Sequence, residues 1–329
     1  MRKIIESWEE KALSGKGIDP ESALHVLSTP DEYLFDLLGA AFRVRLRHKG
    51  RNVRFCSIVN AKSGLCSEDC SFCSQSRVSR AEIEKFPLID PDEVETRARA
   101  AKESGAREFS IVTSGVGLKN WKEVEKVGEA VGRVRALGLE TCVSIGIVDR
   151  EVLRYLKEKG LSSFHHNLET SRSYFPNVCT THSYEEDVRV VREAKEEGLW
   201  VCCGGIFGIG ESDEDRVELA FTLKELDVDS IPLNFLNPIP GTPLEGRREL
   251  TPLTCLRIIA MMRLVNPTKE IIVCGGREVN LRDLQSLMFV AGATGTMLGN
   301  YLTTLGRPPE EDIQMVEDLN LTWTVGGSR

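Results

Sequence analysis

The chain has 329 residues, of which 41% are hydrophobic and 28% charged, with a formal net charge of -8. That is enough apolar material for one large α/β domain or two smaller ones, while the lack of any basic run or long apolar stretch argues against nucleic-acid, lipid-surface and membrane roles. Its first residues, MRKIIESWEEKALSGKG, carry acids where a secretory signal needs an apolar centre, so a cytoplasmic location is expected, where ten cysteines serve as thiols or metal ligands rather than disulfides.

Residues 1 to about 48 show apolar residues at helical spacing and read as an N-terminal helical cap of the same domain that continues through residues 49–329. Short β-branched runs follow at intervals: VRFCSIV, EFSIVTSG, TCVSIGI, SSFHHNL, WVCCGGIFGI, SIPLNFL, EIIVCGG and a weaker GTMLG. Amphipathic charged stretches such as NWKEVEKVGEAVGRVRALG, SYEEDVRVVREAKEEG and ESDEDRVELAFTLKELD lie between them, and Gly138, Gly160 and Gly198 stand where left-handed helix terminators belong. Strand then helix, repeated about eight times, predicts a parallel sheet, and the count fits a (β/α)8 TIM-type barrel better than an open sheet. In such a barrel the chemistry lies at the C-terminal strand ends. The stretch CSEDCSFC follows the first strand, which puts Cys66, Cys70 and Cys73 in that place.

Three cysteines at this spacing suit neither a disulfide framework nor a closed zinc site. With Phe72 just before the last of them, they resemble the signature of the radical S-adenosylmethionine superfamily. There, three thiolates hold a 4Fe-4S cluster and leave one iron open to S-adenosylmethionine. The segments NAKSGLCSEDCSFCSQS, FHHNLETS, CCGGIFGIGES, IPLNFLNPIPGTPLEG and GGREVNLR, in this order, are similar to the biotin synthase family over roughly residues 20 to 325. The resemblance implies radical insertion of sulfur into dethiobiotin.

By that resemblance Asn167 reads the ureido ring of dethiobiotin and Asn234 lies between substrate and cofactor. Glu169 takes the cofactor ribose, Phe72 packs near the adenine, and Ser114, Gly115, Gly205 and Ile206 line the cofactor site. It further implies a homodimer and an electron donor such as flavodoxin or ferredoxin. An amide that both donates and accepts suits a neutral ureido group, and a carboxylate suits a ribose diol.

The family's auxiliary two-iron cluster is held by three cysteines and an arginine, and here two of those positions differ. Ser110 replaces a cysteine and Ile272 replaces the arginine, while Cys142 and Cys202 keep theirs. Alternation along a strand puts Cys274 on the face of Ile272. Cys142, Cys179, Cys202 and Cys274 are therefore the expected ligands of an auxiliary iron–sulfur cluster, four-iron rather than 2Fe-2S. Cys203 is expected to turn outward, and Cys56 and Cys255 to be packing residues. Asp187 stands where relatives commonly have an arginine for the cofactor carboxylate, leaving Arg189 as the candidate. His165 and His166 are expected to make hydrogen bonds at the barrel mouth rather than bind metal. A related radical enzyme of maturase or mutase type acting on another small molecule, and a noncatalytic cluster carrier, are the other readings.

Overall fold

The computed structural model describes residues 1–118 and 120–325, so the expected boundary at residue 329 lies outside the described residues. Helices Arg2–Leu13, Pro20–Leu27 and Leu34–Lys49 come first, the second opened by a proline at its first turn and capped by Asp19, whose carboxylate accepts from the Ser22 amide. Among the described residues no helix is long and apolar enough to cross a membrane.

Ten strands follow: β1 Asn52–Lys62, β2 Glu108–Thr113, β3 Glu140–Ser144, β4 Ser163–His165, β5 Trp200–Cys202, β6 Gly205–Phe207, β7 Ser230–Phe235, β8 Glu270–Val273, β9 Gly295–Met297 and β10 Thr322–Trp323. Neighbours pair in parallel from β1 through β5 to β7, β8 and β9, and β9 returns to β1, closing the barrel. β5 and β6 both pair with β7 and share one wall position, which gives eight positions in all.

The single strand expected over WVCCGGIFGI is thus interrupted at Cys203 and Gly204. A side chain at Gly204 would meet the Pro232 carbonyl at 1.9 Å, so the backbone there presses directly on β7. Gly138, Gly160 and Gly198 do end helices with positive φ, as their spacing predicts.

Along each strand one face meets the helices and the other the barrel interior. On β2, Phe109 and Ile111 are each 1% exposed among the helices, and burying a side chain of that size contributes about 1.5–3 kcal/mol. Glu108, Ser110 and Val112, between them, face inward. A barrel of this size normally fills its interior with bulky branched side chains. Here Cys56, Ser110, Cys142, Ser144, Cys202 and Ser230 stand on the inner face, and these small residues leave a cavity of about 350 Å³. At its floor Arg54 pairs with Glu140 at 2.5 Å and lies 3.6 Å from Glu108, while Arg107 pairs with Glu140 at 2.8 Å.

Candidate active site

The cavity runs from the loop after β1 down to the strand starts, so one chamber is lined by Cys73 of the upper cysteine group and by Cys142, Cys202 and Cys274 of the lower. At the top, Cys66, Cys70 and Cys73 sit on an irregular loop after β1, all three half-buried. The loop is shaped by its own backbone: the Cys73 amide donates to the Cys70 carbonyl at 3.2 Å, and the Arg77 amide to the Glu68 carbonyl at 2.9 Å. Gln75, 7% exposed, accepts from the Gly64 amide at 2.9 Å. Ser114, just past β2, donates its hydroxyl to the Gly64 carbonyl at 2.6 Å, and Gly115 beside it has open space where a side chain would be.

Burial pushes the Cys73 thiol up to about 11, and a hydrogen bond shared with Cys179, then burial, pushes Cys70 up. Thiols in such surroundings lose their protons to a bound metal rather than to water. Three of them on one loop, opening onto a cavity, fit a three-cysteine iron–sulfur cluster. Phe72 points into the cavity and packs with Val178, Ile206, Ile209 and Leu236, forming an apolar shelf beside them.

Asn167, Glu169 and Asn234 line the same cavity. Asn167 accepts from the Gly204 amide at 3.1 Å and donates to Glu169 at 3.3 Å, and Asn234 accepts from the Gly275 amide at 3.0 Å and donates to the Gly205 carbonyl at 3.3 Å. The interrupted wall between β5 and β6 therefore orients both amides. Glu169 takes a left-handed backbone, φ 63°, and burial, with Asp187 adding to it, pushes its carboxyl up to about 8. A desolvated carboxylate with one amide donor has acceptor capacity to spare, which suits a vicinal diol. Gly205 lets the chain pass the Glu169 carbonyl, which a side chain would meet at 2.5 Å, and Ile206 lines the cavity. The later glycines serve another purpose: the amides of Gly208, Ile209 and Gly210 all donate to the Glu211 carboxylate.

Three expectations are corrected here, for Arg189, Cys179 and Cys56. Arg189 lies on the outer face of the helix Tyr184–Glu196, 42% exposed and paired with Glu193 at 3.1 Å, whereas Asp187 turns inward, 2% exposed, and bonds His166 at 2.7 Å. His165 lines the cavity, and burial, then His166, pushes it down to about 4.

Cys179 does not reach the barrel interior. It lies 3.3 Å from the Thr181 hydroxyl and 3.4 Å from His182, beside the cluster loop. Cys56 takes the inner position instead, packed against Cys274, with Cys142 and Cys202 lining the same cavity. Burial and then Cys142 push the Cys202 thiol up. Cys203 is fully buried on the other face, and Cys255 is buried on a helix. The loop after β9 also escapes a reading by sequence pattern. Tyr301, Leu302, Thr303 and Thr304 line the mouth, and Tyr301 donates to Glu278 at 2.7 Å.

Residues 62–223 match the Radical SAM superfamily, and residues 232–322 match the Biotin and Thiamin Synthesis associated domain. The chain is 52% identical over 323 residues to the biotin synthase of Geotalea daltonii, covering 98% of each. It is 53% identical over 318 residues to that of Geobacter sulfurreducens, covering 96% of this chain and 97% of the relative. In fold it is similar to methylornithine synthase, with a TM-score of 0.84, 23% identity and coverage of 96% and 97%. It is likewise similar to the FeFe-hydrogenase maturase of Carboxydothermus hydrogenoformans, with a TM-score of 0.82, 16% identity and coverage of 98% and 80%.

Proposed function

The chain belongs to the biotin synthase family of radical S-adenosylmethionine enzymes, and from that membership we infer that its chamber converts dethiobiotin to biotin by sulfur insertion. The observation that carries this reading is the continuity of the cavity: Cys73 and Phe72 at the top, Asn167 and Asn234 in the middle, and Cys56, Cys142, Cys202 and Cys274 lower down line one space. When bound, a 4Fe-4S cluster and S-adenosylmethionine would supply the radical chemistry that removes hydrogen from an unactivated carbon.

Cys66, Cys70 and Cys73 would hold that cluster. Glu169 binds the ribose, Phe72 covers the adenine and Asn234 separates cofactor from substrate. Asn167 orients the ureido ring, and the apolar shelf around Phe72 excludes water from a reactive carbon radical. We assign Cys56, Cys142, Cys202 and Cys274 as the residues that would hold an auxiliary cluster as sulfur source. Four thiolates are the donor set of a four-iron cluster, whereas Ile272, at the arginine's position, offers no donor. A flavodoxin- or ferredoxin-type reductant and a homodimer complete the reading.

An anaerobic single-turnover assay of the reconstituted protein with dethiobiotin, S-adenosylmethionine and a reductant tests it. Biotin with about two 5'-deoxyadenosines per product is the expected result. Deoxyadenosine without biotin, and iron for only one cluster, would overturn it.

A further inference from the structure

Beside the cluster loop, and off the cavity wall, Glu68, Cys179 and His182 bring metal-donor atoms within 4.8 Å of one another. Glu68 comes from the CSEDCSFC loop, and the other two from the segment between β4 and the helix Tyr184–Glu196. Glu68 Oε2 lies 2.7 Å from His182 Nδ1, and Cys179 Sγ lies 3.4 Å from the same nitrogen. Glu68 is 7% and Cys179 3% exposed, so little water reaches the donors.

The other ring nitrogen, Nε2, faces Asp187 Oδ2 at 3.3 Å, and Asp187 is itself held by His166 Nε2 at 2.7 Å. A carboxylate on one imidazole nitrogen draws the N–H to that side and leaves the opposite lone pair for a metal. At 2.7 Å, the Nδ1 lone pair and a Glu68 oxygen need a cation or a proton between them. Asp69 adds a further carboxylate, reached by Arg77 at 3.5 Å, and the Thr181 hydroxyl lies 2.5 Å from Glu68 Oε2.

We propose that Glu68, Cys179 and His182 form a mononuclear site for a divalent transition metal of the zinc or ferrous class, with the Thr181 hydroxyl or water in the fourth position. Thiolate, imidazole and carboxylate together are a donor set that these ions favour. The ion staples the cluster loop to the segment after β4, where the Ser71 amide already donates to the Val178 carbonyl at 2.9 Å and the Thr180 amide to Asp69 at 2.8 Å. This site goes beyond sulfur insertion and does not rest on it.

The test uses the full chain with its iron–sulfur clusters reconstituted. It is incubated anaerobically with zinc sulfate, stripped of loose metal by a weak chelator, and analysed for zinc and iron, with zinc-edge X-ray absorption to identify ligands. About one zinc per chain is expected, bound to one sulfur at about 2.3 Å and otherwise to nitrogen and oxygen, with the iron of the clusters unchanged. Cys179→Ser and His182→Gln should each lower zinc occupancy about tenfold or more while iron stays at the parent level. Retention of no zinc, equal retention in both variants, or zinc gained only as the iron–sulfur clusters themselves lose iron would each overturn the proposal. If Cys179→Ser loses iron, His182→Gln decides the matter. A high-spin ferrous Mössbauer signal before zinc is added, displaced by zinc, would mark the native ion as iron, and zinc found on isolation would mark it as zinc. No turnover is measured, so the result is separate from that of the biotin assay.

Discussion

Cys56 on β1 packs against the buried cluster of Cys274, Ile272 and Met297, although 217 residues separate Cys56 from Cys274 in the chain and β9 lies between their strands. Closure of the barrel makes the pair. Cys56→Ser is therefore expected to behave as Cys274→Ala does: biotin formation falls at least about tenfold and iron drops by about one cluster, while uncoupled cleavage of S-adenosylmethionine continues within about twofold of parent. Parent-level biotin from either variant would remove that residue from the auxiliary site.

Cys70→Ala should act on the other end of the chamber. Reductive cleavage of S-adenosylmethionine is expected to vanish, because two thiols on this loop leave the cluster short of a ligand. The readout is 5'-deoxyadenosine under dithionite, and measurable formation would contradict the assignment.

Asn167→Ala removes an acceptor for the Gly204 amide as well as the proposed substrate contact. Dethiobiotin binding should weaken by about 1–3 kcal/mol, read by equilibrium dialysis with the cofactor present. Unchanged affinity would show that the amide serves only the wall of the barrel.

Arg189→Ala separates the outer face of its helix from the inner. The side chain is exposed and pairs only with Glu193 among the contacts resolved for it, so stability should move by no more than about 0.5 kcal/mol and the KM for S-adenosylmethionine by no more than about twofold. A large rise in KM would return Arg189 to the cofactor site.

Glu169 makes stability depend on pH in the protein without S-adenosylmethionine. Unfolded, this carboxyl releases its proton near 4.5; folded, burial holds the proton until about pH 8. Between these values the folded state binds more protons, so raising the pH favours unfolding, by up to about 1.4 kcal/mol per pH unit. Glu169→Gln should flatten that part of the profile in thermal melts from about pH 5 to pH 8. Parallel profiles for variant and parent would show that the carboxyl is not perturbed.

Periodicity made the barrel legible: alternating β-branched runs, helix-ending glycines and the count of units all lead to the closed sheet. The same alternation singles out Cys274, and along β1 it also puts Cys56 on the face of Arg54 and Ile58, all of which line the cavity. Cys56 reads as packing only when its strand is taken alone, since its partner comes from the far end of the barrel. Cys179 carries no such signal, because a loop has no period and its position depends on hydrogen bonds to Glu68, Asp69 and their neighbours. The inward turn of Asp187 is equally hidden, being set by two histidines that meet it only in the folded chain.

β1, the first barrel strand to leave the ribosome, pairs with β2 on one side but with β9 and β10 on the other, and these are the last to appear. Until residues 295–297 emerge, one edge of β1 stays unpaired and open to association with other chains. The lower chamber also lacks a wall until then, so metal loading there follows translation and proceeds through the mouth of a barrel whose sheet is already closed.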